Sequence, residues 1–263
     1  MKIIATTSDK ALPQLIQEAK DLAQVLAVPY VPRNKLSLES IREVHKAEQI
    51  LVVTKKNIQL VMSQGVYFFH IGMAKLRIKS LCEGKYDHMA SAMDLAPGYR
   101  VLDCTLGLGT DAIVASYLTG AAGHVTGLEA SAVVAEIVRR GLRSYEEADQ
   151  EIVQAMRRIE VIAGDYLQYL KSMPAKSFDV VYFDPMFRRP VKESSGIAPL
   201  RMLANHAPVS STAITEAIRV AKKKVVFKEA VYSHEFARLG FQHFCGGKYS
   251  SVMYGYIDPE EGA

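Results

Sequence analysis

Several features are scarce or missing in this chain of 263 residues. It has no tryptophan and only three cysteines, Cys82, Cys104 and Cys245, which lie far apart and form no C-x-x-C pair. An odd number of separated cysteines without clustered histidines argues against a disulfide framework and against a zinc site. We therefore expect reduced thiols and no bound metal.

Long apolar runs are also missing. No stretch approaches the roughly 20 apolar residues of a membrane-spanning helix, and the amino end, MKIIATTSDKALPQ, lacks the features of a secretory signal. Hydrophobic residues still make up 49% of the chain, which is enough for a globular core. The sequence thus predicts a cytoplasmic protein without membrane contact and leaves its oligomeric state open.

Positive charge is concentrated towards the amino end. The formal net charge is +4, and residues 1–90 hold 13 Lys and Arg against 8 Asp and Glu. A polyanion such as RNA would be bound mainly there, with Lys75 and Arg77 as candidate phosphate ligands. An ordinary solvated basic surface explains the same residues equally well.

The hydrophobic patterns indicate two regions. Residues 1–80 combine a strand, an amphipathic helix and a β-hairpin signal, which predicts a small α+β domain. Residues 81–263 alternate apolar strands with helices, which predicts a doubly wound α/β domain with a mostly parallel sheet of seven strands. The last two β-rich runs, 241–245 and 251–257, are joined too tightly for a helix, so we expect an antiparallel hairpin at the end.

A glycine loop in VLDCTLGLGTDA connects a predicted strand to a predicted helix. Glycine allows a close approach of the backbone to a ligand, and the helix behind it offers unpaired N–H groups. The loop matches a dinucleotide fingerprint as well as a loop for S-adenosylmethionine, because Glu129 follows at the spacing of a ribose-binding acid.

Two further carboxylates favour S-adenosylmethionine. Asp103 ends the strand, where its charge would attract the cationic methionine end of that cofactor and repel a pyrophosphate. Asp165, after a later strand, is placed to accept a hydrogen bond from an adenine amino group. The candidate cofactor contacts from the loop and the strand ends are Asp103, Thr105, Gly107, Gly109, Glu129 and Asp165.

A second motif, Asp184-Pro185-Met186-Phe187, ends the buried strand FDVVYFD. A carboxylate and a backbone carbonyl that accept both N–H bonds of an exocyclic amine would orient its nitrogen for methylation. Proline fixes the turn, and the phenylalanine offers a face for base stacking. These four residues are the candidate catalytic set, and a target base would have to leave its stack to reach them. Basic residues after the motif could hold phosphates: Arg188, Arg189 and Lys192.

Residues 65–235 resemble the bacterial 16S rRNA guanine-N2 methyltransferases, a family of class I enzymes that use S-adenosylmethionine. The resemblance is carried by VYFFHIGMAKLRIK, DCTLGLGTDA, GLEAS, AGDYL, YFDPMF and VVFKEA. It implies methylation of a guanine N2 amine in 16S rRNA, with Asp184 to Phe187 at the target amine and Lys228 as a matching basic residue. The cofactor contacts that it implies are Thr110, Asp111, Glu129, Ala130, Asp165, Tyr166 and Asp184.

Other functions remain open on the sequence alone. The same cofactor could serve methylation of another RNA, a protein amide or a small molecule. An NAD(P)-dependent oxidoreductase would explain the glycine loop but neither DPMF nor the final hairpin. A binding module without turnover would leave Asp184 without a role.

Overall fold

The structure is a computed structural model that describes residues 2–185, 207–248 and 250–260. The chain divides into two compact units, one running to His70 and the other beginning at Ile71. The division precedes residue 80 because residues 74–82 form a helix that packs within the second unit. The domain limits 1–80 and 81–263 stay a prediction.

The first unit is a four-stranded sheet with two helices. β1 pairs in parallel with β2, and β2, β3 and β4 form an antiparallel meander. Helix α1 packs on β1 and β2, and α2 packs on β2, over a core that includes Ile4, Ile41 and Ile50. The predicted α+β character and hairpin are confirmed. The elements are β1 (Ile3–Thr7), α1 (Pro13–Val25), α2 (Leu38–His45), β2 (Gln49–Val53), β3 (Ile58–Met62) and β4 (Gly65–Phe68).

The second unit is built around a sheet of seven strands in the order β10-β11-β9-β8-β5-β6-β7. Its elements are α3 (Ala74–Cys82), α4 (His88–Met93), β5 (Arg100–Asp103), α5 (Thr110–Thr119), β6 (His124–Glu129), α6 (Ala132–Ser144), α7 (Gln150–Arg157), β7 (Ile159–Ala163), α8 (Tyr166–Ser172), β8 (Phe178–Phe183), α9 (Ser211–Val220), β9 (Ala221–Ala230), α10 (Glu235–Leu239), β10 (His243–Cys245) and β11 (Val252–Ile257).

Strand directions in this sheet match the predicted doubly wound α/β fold. Strands β5 to β9 are all parallel, whereas β11 runs antiparallel to both β9 and β10. The predicted antiparallel hairpin at the end is therefore confirmed. The strand order reverses between β5 and β8, and open α/β sheets bind their ligands at the carboxyl ends of strands beside such a reversal.

Both faces of the large sheet are covered. Val181 and Phe183 of β8 join the core cluster beneath α8, α9 and α10. Side chains alternate along a strand, so Tyr182 between them points to the opposite face, where it contacts α5. Among the described residues no helix is long and apolar enough to cross a membrane.

Candidate active site

The glycine loop has the conformation that its sequence predicts. Gly107 and Gly109 have φ of 52° and 76°, in the left-handed region, and Gly109 is the N-cap of α5. The backbone N–H of Leu106 donates to the carbonyl of Leu128 over 2.9 Å, which ties the loop to β6. The unpaired N–H groups in the first turn of α5 therefore follow directly behind the loop.

A close approach of Leu106 to β6 holds the loop in place. A Cβ built on Gly127 would lie 2.5 Å from Cδ1 and 2.9 Å from Cδ2 of Leu106. Real Cβ atoms do not tolerate such distances, so the Leu106 side chain takes the space that any other residue at position 127 would need. Gly127 thus belongs to the architecture of the loop, although it lies on the neighbouring strand.

Glu129 connects the end of β6 to the glycine loop. Its Oε2 accepts the N–H of Gly107 over 3.2 Å, and its Oε1 accepts the N–H of Ser131 over 2.9 Å. Burial raises the pKa of this carboxyl, and the backbone N–H bonds oppose the rise. Each carboxylate oxygen can accept two hydrogen bonds, so Glu129 can still accept from the hydroxyls of a ribose.

Asp103 is almost fully buried at the end of β5, with 2% of its surface exposed. Its Oδ1 accepts the N–H of Thr105 over 3.0 Å. Burial and then the charges of Asp111 and Asp184 raise its pKa to about 8, against the opposing Thr105 bond and Lys228 charge. A carboxyl in this state gains from a nearby cation, which favours its ionised form.

Asp165 and Tyr166 lie at the start of α8. Asp165 is exposed and caps that helix by accepting the N–H of Gln168 over 3.0 Å. The half-buried Tyr166 ring packs edge-to-face on Phe183, with 5.6 Å between centroids. Phe183 directly precedes Asp184, so this contact places the Tyr166 ring beside the end of β8.

The glycine loop and the second motif are joined by one hydrogen bond. The backbone N–H of Asp184 donates to Oγ1 of Thr105 over 2.6 Å. Because Thr105 also contacts Asp103, a single residue links the ends of β5 and β8. The two motifs that the sequence presents 79 residues apart therefore form one site.

Asp111 lies at the centre of a charge cluster behind these strand ends. Its Oδ2 accepts from the Tyr182 hydroxyl over 2.7 Å and from Lys228 Nζ over 3.2 Å, and its Oδ1 pairs with Arg77. Burial alone would raise the pKa of Asp111, but Lys228 and Arg77 hold it well below its usual range. Both oxygens of Asp111 are thus engaged within the protein.

Lys228 extends this cluster to Asp184. Its Nζ lies 2.7 Å from Oδ2 of Asp184. Burial lowers the pKa of Lys228, yet the charges of Asp111 and Asp184 outweigh it and raise that pKa. For Asp184, burial and the Asp111 charge raise the pKa to about 6, with Lys228 opposing. The Asp184 side chain keeps 27% of its surface exposed, so a substrate group can reach it.

The two basic residues predicted in α3 differ in their surroundings. Lys75 is exposed. Arg77 is only 20% exposed and forms a two-pronged ion pair with Asp87, with N–O distances of 2.8 and 2.9 Å, besides its contact with Asp111. The guanidinium of Arg77 is therefore bound to two carboxylates of the protein.

The remaining predicted residues are placed as follows. Thr110 is half-buried in the first turn of α5, Ala130 is exposed after β6, and Pro185 is half-buried after Asp184. Five predicted residues lie outside the part of the chain that the structure describes: Met186, Phe187, Arg188, Arg189 and Lys192.

Sequence reasoning missed Asp87 and Tyr182 as members of the site. Asp87 caps α4 and holds Arg77, while Tyr182 is a buried residue of β8 whose hydroxyl reaches Asp111. The polar tyrosine within an otherwise apolar buried strand was an available signal, because a buried hydroxyl needs a partner. No local pattern marks Asp87.

With this geometry in hand, the chain can be compared with known proteins. A sequence-family model described as "Putative SAM-dependent methyltransferase" matches residues 33–249. The chain belongs to this family. S-adenosylmethionine is accordingly the cofactor of this methyltransferase, and an oxidoreductase is ruled out as its family.

The chain is also similar to two curated relatives, one of them named as a methyltransferase, and its fold is similar to that of a solved structure. The methyltransferase is 44% identical over 237 residues to "Uncharacterized protein YpiP" of Bacillus subtilis, covering 90% of this chain and 92% of that protein. It is 31% identical to "Ribosomal RNA small subunit methyltransferase J" of Pseudoalteromonas atlantica, covering 87% and 88%. The fold matches the SAM-dependent methyltransferase NGO1261 of Neisseria gonorrhoeae, with a TM-score of 0.67 at 19% identity, covering 97% and 96%.

The strand ends fit the cofactor chemically. S-adenosylmethionine carries a sulfonium and an ammonium at its methionine end and two hydroxyls on its ribose. The buried Asp103 can ionise beside the cationic methionine end, and Glu129 offers acceptor oxygens to the ribose hydroxyls. Gly107 and Gly109, both at positive φ, have no side chain that would keep the loop backbone away from a ligand. The residues present can therefore hold the cofactor.

Proposed function

We propose that this methyltransferase transfers a methyl group from S-adenosylmethionine to the exocyclic N2 amine of a guanine in small-subunit (16S) rRNA. The observation that carries the proposal is the bond from the Asp184 N–H to Thr105, which fixes a partly exposed carboxylate beside the cofactor loop. The relative named as a small-subunit rRNA methyltransferase, aligned over most of both chains, supports the substrate class.

In this proposal Asp103 faces the methionine end of the cofactor, Glu129 its ribose and Asp165 its adenine. Asp184 then acts at the boundary between cofactor and substrate. The glycine loop adds three proposed contacts: Thr105, Gly107 and Gly109. The resemblance adds four more: Thr110, Asp111, Ala130 and Tyr166. Since both Asp111 carboxylate oxygens are engaged, its part in cofactor binding would be played by its backbone N–H.

The target amine would donate one N–H to Asp184 and the other to the carbonyl of Pro185, while Met186 and Phe187 line the base. Both hydrogen bonds draw the nitrogen lone pair away from the ring and towards the methyl group. When bound, the cofactor would supply an electrophilic methyl group and a thioether leaving group that would keep the electron pair of the S–C bond. The nitrogen then loses a proton, for which the Asp184 carboxylate is the nearest proposed acceptor.

RNA contacts are proposed on two parts of the chain. Lys75, on the exposed face of α3, and the basic residues Arg188, Arg189 and Lys192 would bind phosphates. Arg77 and Lys228, which the sequence also suggests, are engaged with carboxylates, so we assign them a role inside the site rather than on RNA. The small amino-terminal domain would add affinity through its net positive charge. Action on rRNA would place the protein in the cytoplasm.

The test is mass spectrometry of nucleosides from small-subunit rRNA of cells with and without the gene. We expect N2-methylguanosine to decrease on deletion and to return with the wild-type gene but not with Asp184→Asn, whose methylation rate should fall by about 100-fold or more. Asp179→Asn is the matched control, because Asp179 lies at the other end of the same strand, paired with Lys222 over 3.5 Å. An unchanged nucleoside profile would contradict the rRNA substrate and favour another RNA, a protein amide or a small molecule.

A further inference from the structure

Lys228 is shared by two carboxylates that come from different parts of the sheet. Asp111 begins α5, behind β5, and Asp184 follows β8. The Lys228 ammonium lies 3.2 Å from the first and 2.7 Å from the second, and 19% of its side chain is exposed. The carboxylates of Asp111 and Asp184 therefore share the ammonium of Lys228 beside the proposed target site.

Asp111 is held from the other side as well. Arg77 pairs with its Oδ1, and Asp87 binds Arg77 through two hydrogen bonds. The Tyr182 hydroxyl donates to the same Oδ2 that Lys228 contacts. With three direct partners, and with Asp87 holding one of them, Asp111 has little freedom to move, and it can hold the ammonium of Lys228 in a fixed position.

We infer that Lys228 is a positioning residue: Asp111 holds its ammonium so that it binds Oδ2 of Asp184 and leaves Oδ1 for the target amine. The inference rests on the proposed role of Asp184 and deepens it. A mobile lysine could rotate towards solvent and release the carboxylate, whereas one held between two acids would lose both ion pairs by doing so. The ion pair thus sets both the orientation and the ionisation of Asp184.

Several charged and titratable groups surround Asp184 and shift its pKa. Lys228 faces it from β9, Asp111 from α5 and Asp103 from β5, and the hydroxyls of Tyr182 and Tyr254 lie within electrostatic reach. Removing the ammonium should raise the pKa of Asp184, and removing the Asp111 charge should lower it. Two neutralising substitutions only a few ångströms apart should therefore act in opposite directions.

The first test measures Asp184 itself, without any substrate. Carboxyl-carbon NMR on the 13C-labelled full chain, with Asp184→Asn to assign its signal, should show a titration midpoint near 6 in the wild type. Lys228→Met should move the midpoint up by about 1–3 pH units. Asp111→Asn keeps an acceptor oxygen for the Lys228 ammonium and removes only the negative charge, so it should move the midpoint down, towards the ~3.9 of an ordinary aspartate. Methionine and asparagine keep the volumes of the residues that they replace, and circular dichroism would confirm the folded state.

Lys224→Met is the matched control for this test. Lys224 lies on the same strand, is also 19% exposed and is also ion-paired, to Asp258 over 3.1 Å, but it contacts neither Asp111 nor Asp184 in the described structure. Its loss should leave the Asp184 midpoint unchanged. If Lys228→Met and Lys224→Met behaved alike, or if both site variants moved the midpoint in the same direction, the inference would be overturned.

The second test uses methylation of small-subunit rRNA. The acid limb of the pH profile of kcat/KM, which reports the free enzyme, should follow the NMR midpoint in each variant, and Lys228→Arg should keep the wild-type limb because it retains the charge. If Lys228 only stabilised the fold, replacing it would lower the activity equally at all pH values. The acid limb of the profile would then stay at the same pH, which would contradict the inference. Absence of methylation in the wild type would instead contradict the proposed substrate, while the NMR result would still decide the role of Lys228.

Discussion

Gly127 offers a test of how β6 supports the cofactor loop. A methyl group at this position would lie 2.5 Å from Cδ1 of Leu106, a side chain that is only 4% exposed and cannot move into solvent. We expect Gly127→Ala to lower the free energy of unfolding by about 1–3 kcal/mol, the usual cost of overpacking a core. The added methyl should push the Leu106 side chain aside, and because Leu106 directly precedes Gly107, the loop should move with it. Cofactor binding should then weaken by about tenfold for every ~1.4 kcal/mol of binding free energy lost.

The experiment is a double-mutant cycle with two measurements. Chemical denaturation gives the free energy of unfolding, and calorimetric titration gives the affinity for S-adenosylmethionine. Leu106→Ala alone should cost about 2–5 kcal/mol by leaving a cavity. In that background the added methyl of Gly127→Ala has room, so its own cost should disappear or become a gain of up to ~1 kcal/mol.

Gly164→Ala is the control, since a Cβ built on Gly164 meets no atom within 4 Å. It should change neither the free energy of unfolding nor the affinity by a measurable amount. Equal costs for Gly127→Ala with and without Leu106 would refute the steric argument. A loss of stability with unchanged cofactor affinity would refute the link between this contact and the loop.

Three further predictions concern the carboxylates at the strand ends. Cofactor binding at pH 7 should release about one proton, because Asp103, with a pKa of about 8, becomes ionised beside a cation; calorimetry in two buffers measures this, and Asp103→Asn should abolish it. The affinity should accordingly fall as the pH is lowered below about 8. Glu129→Gln should weaken cofactor binding by about tenfold or more, since an amide has one acceptor oxygen for the N–H groups of Gly107 and Ser131; normal affinity would contradict the geometry. Asp165→Ala should cost about 1 kcal/mol in the free energy of unfolding by uncapping α8, and Asp165→Asn should keep that stability.

The number of strands in the large sheet and their directions could be predicted from the chain because each βα unit carries its own local signal. Apolar runs mark the parallel strands, and the few residues between β10 and β11 leave an antiparallel pairing as the only geometry. The glycine positions followed from the same logic, since Gly107 and Gly109 both adopt the positive φ that only glycine enters easily. Backbone requirements of this kind depend on a few neighbouring residues, so a short segment of sequence is enough to predict them.

The caps and boundaries of the helices were harder to predict, because neighbouring residues of similar type could serve the same purpose. Ser40 and Glu43 fit either a capping box or the first turn of a helix, and the second reading is right for Ser40. Helix α2 begins at Leu38, and the side chain of Ser37 caps it by accepting the N–H of Ser40 over 2.9 Å. Periodicity predicts a helix from Tyr145, whereas α7 begins at Gln150. Helix α4 has six residues, which is too short to show a helical period.

The charge cluster was beyond sequence reasoning for a different reason. Its members are separated along the chain by 34 residues between Arg77 and Asp111 and by 117 between Asp111 and Lys228. A charged residue in a sequence has many possible partners, and only the register of the strands and the packing of α3 and α5 decide which ones meet. Sequence reasoning therefore offered Arg77 as a phosphate ligand and Lys228 only as a basic residue that matches the resembled family, while the structure shows both paired with acids.

The reversal of strand order between β5 and β8 also bears on how the chain folds as it is synthesised. β8 inserts next to β5 long after β5, β6 and β7 have left the ribosome, and β9 follows still later. During this interval Asp111 lacks Lys228, and Arg77, which precedes it in the chain, is its only cation from the cluster. We expect Arg77 to act as a folding partner for Asp111 before the enzyme site exists, so that its loss would lower the yield of folded protein more than the stability of protein already folded.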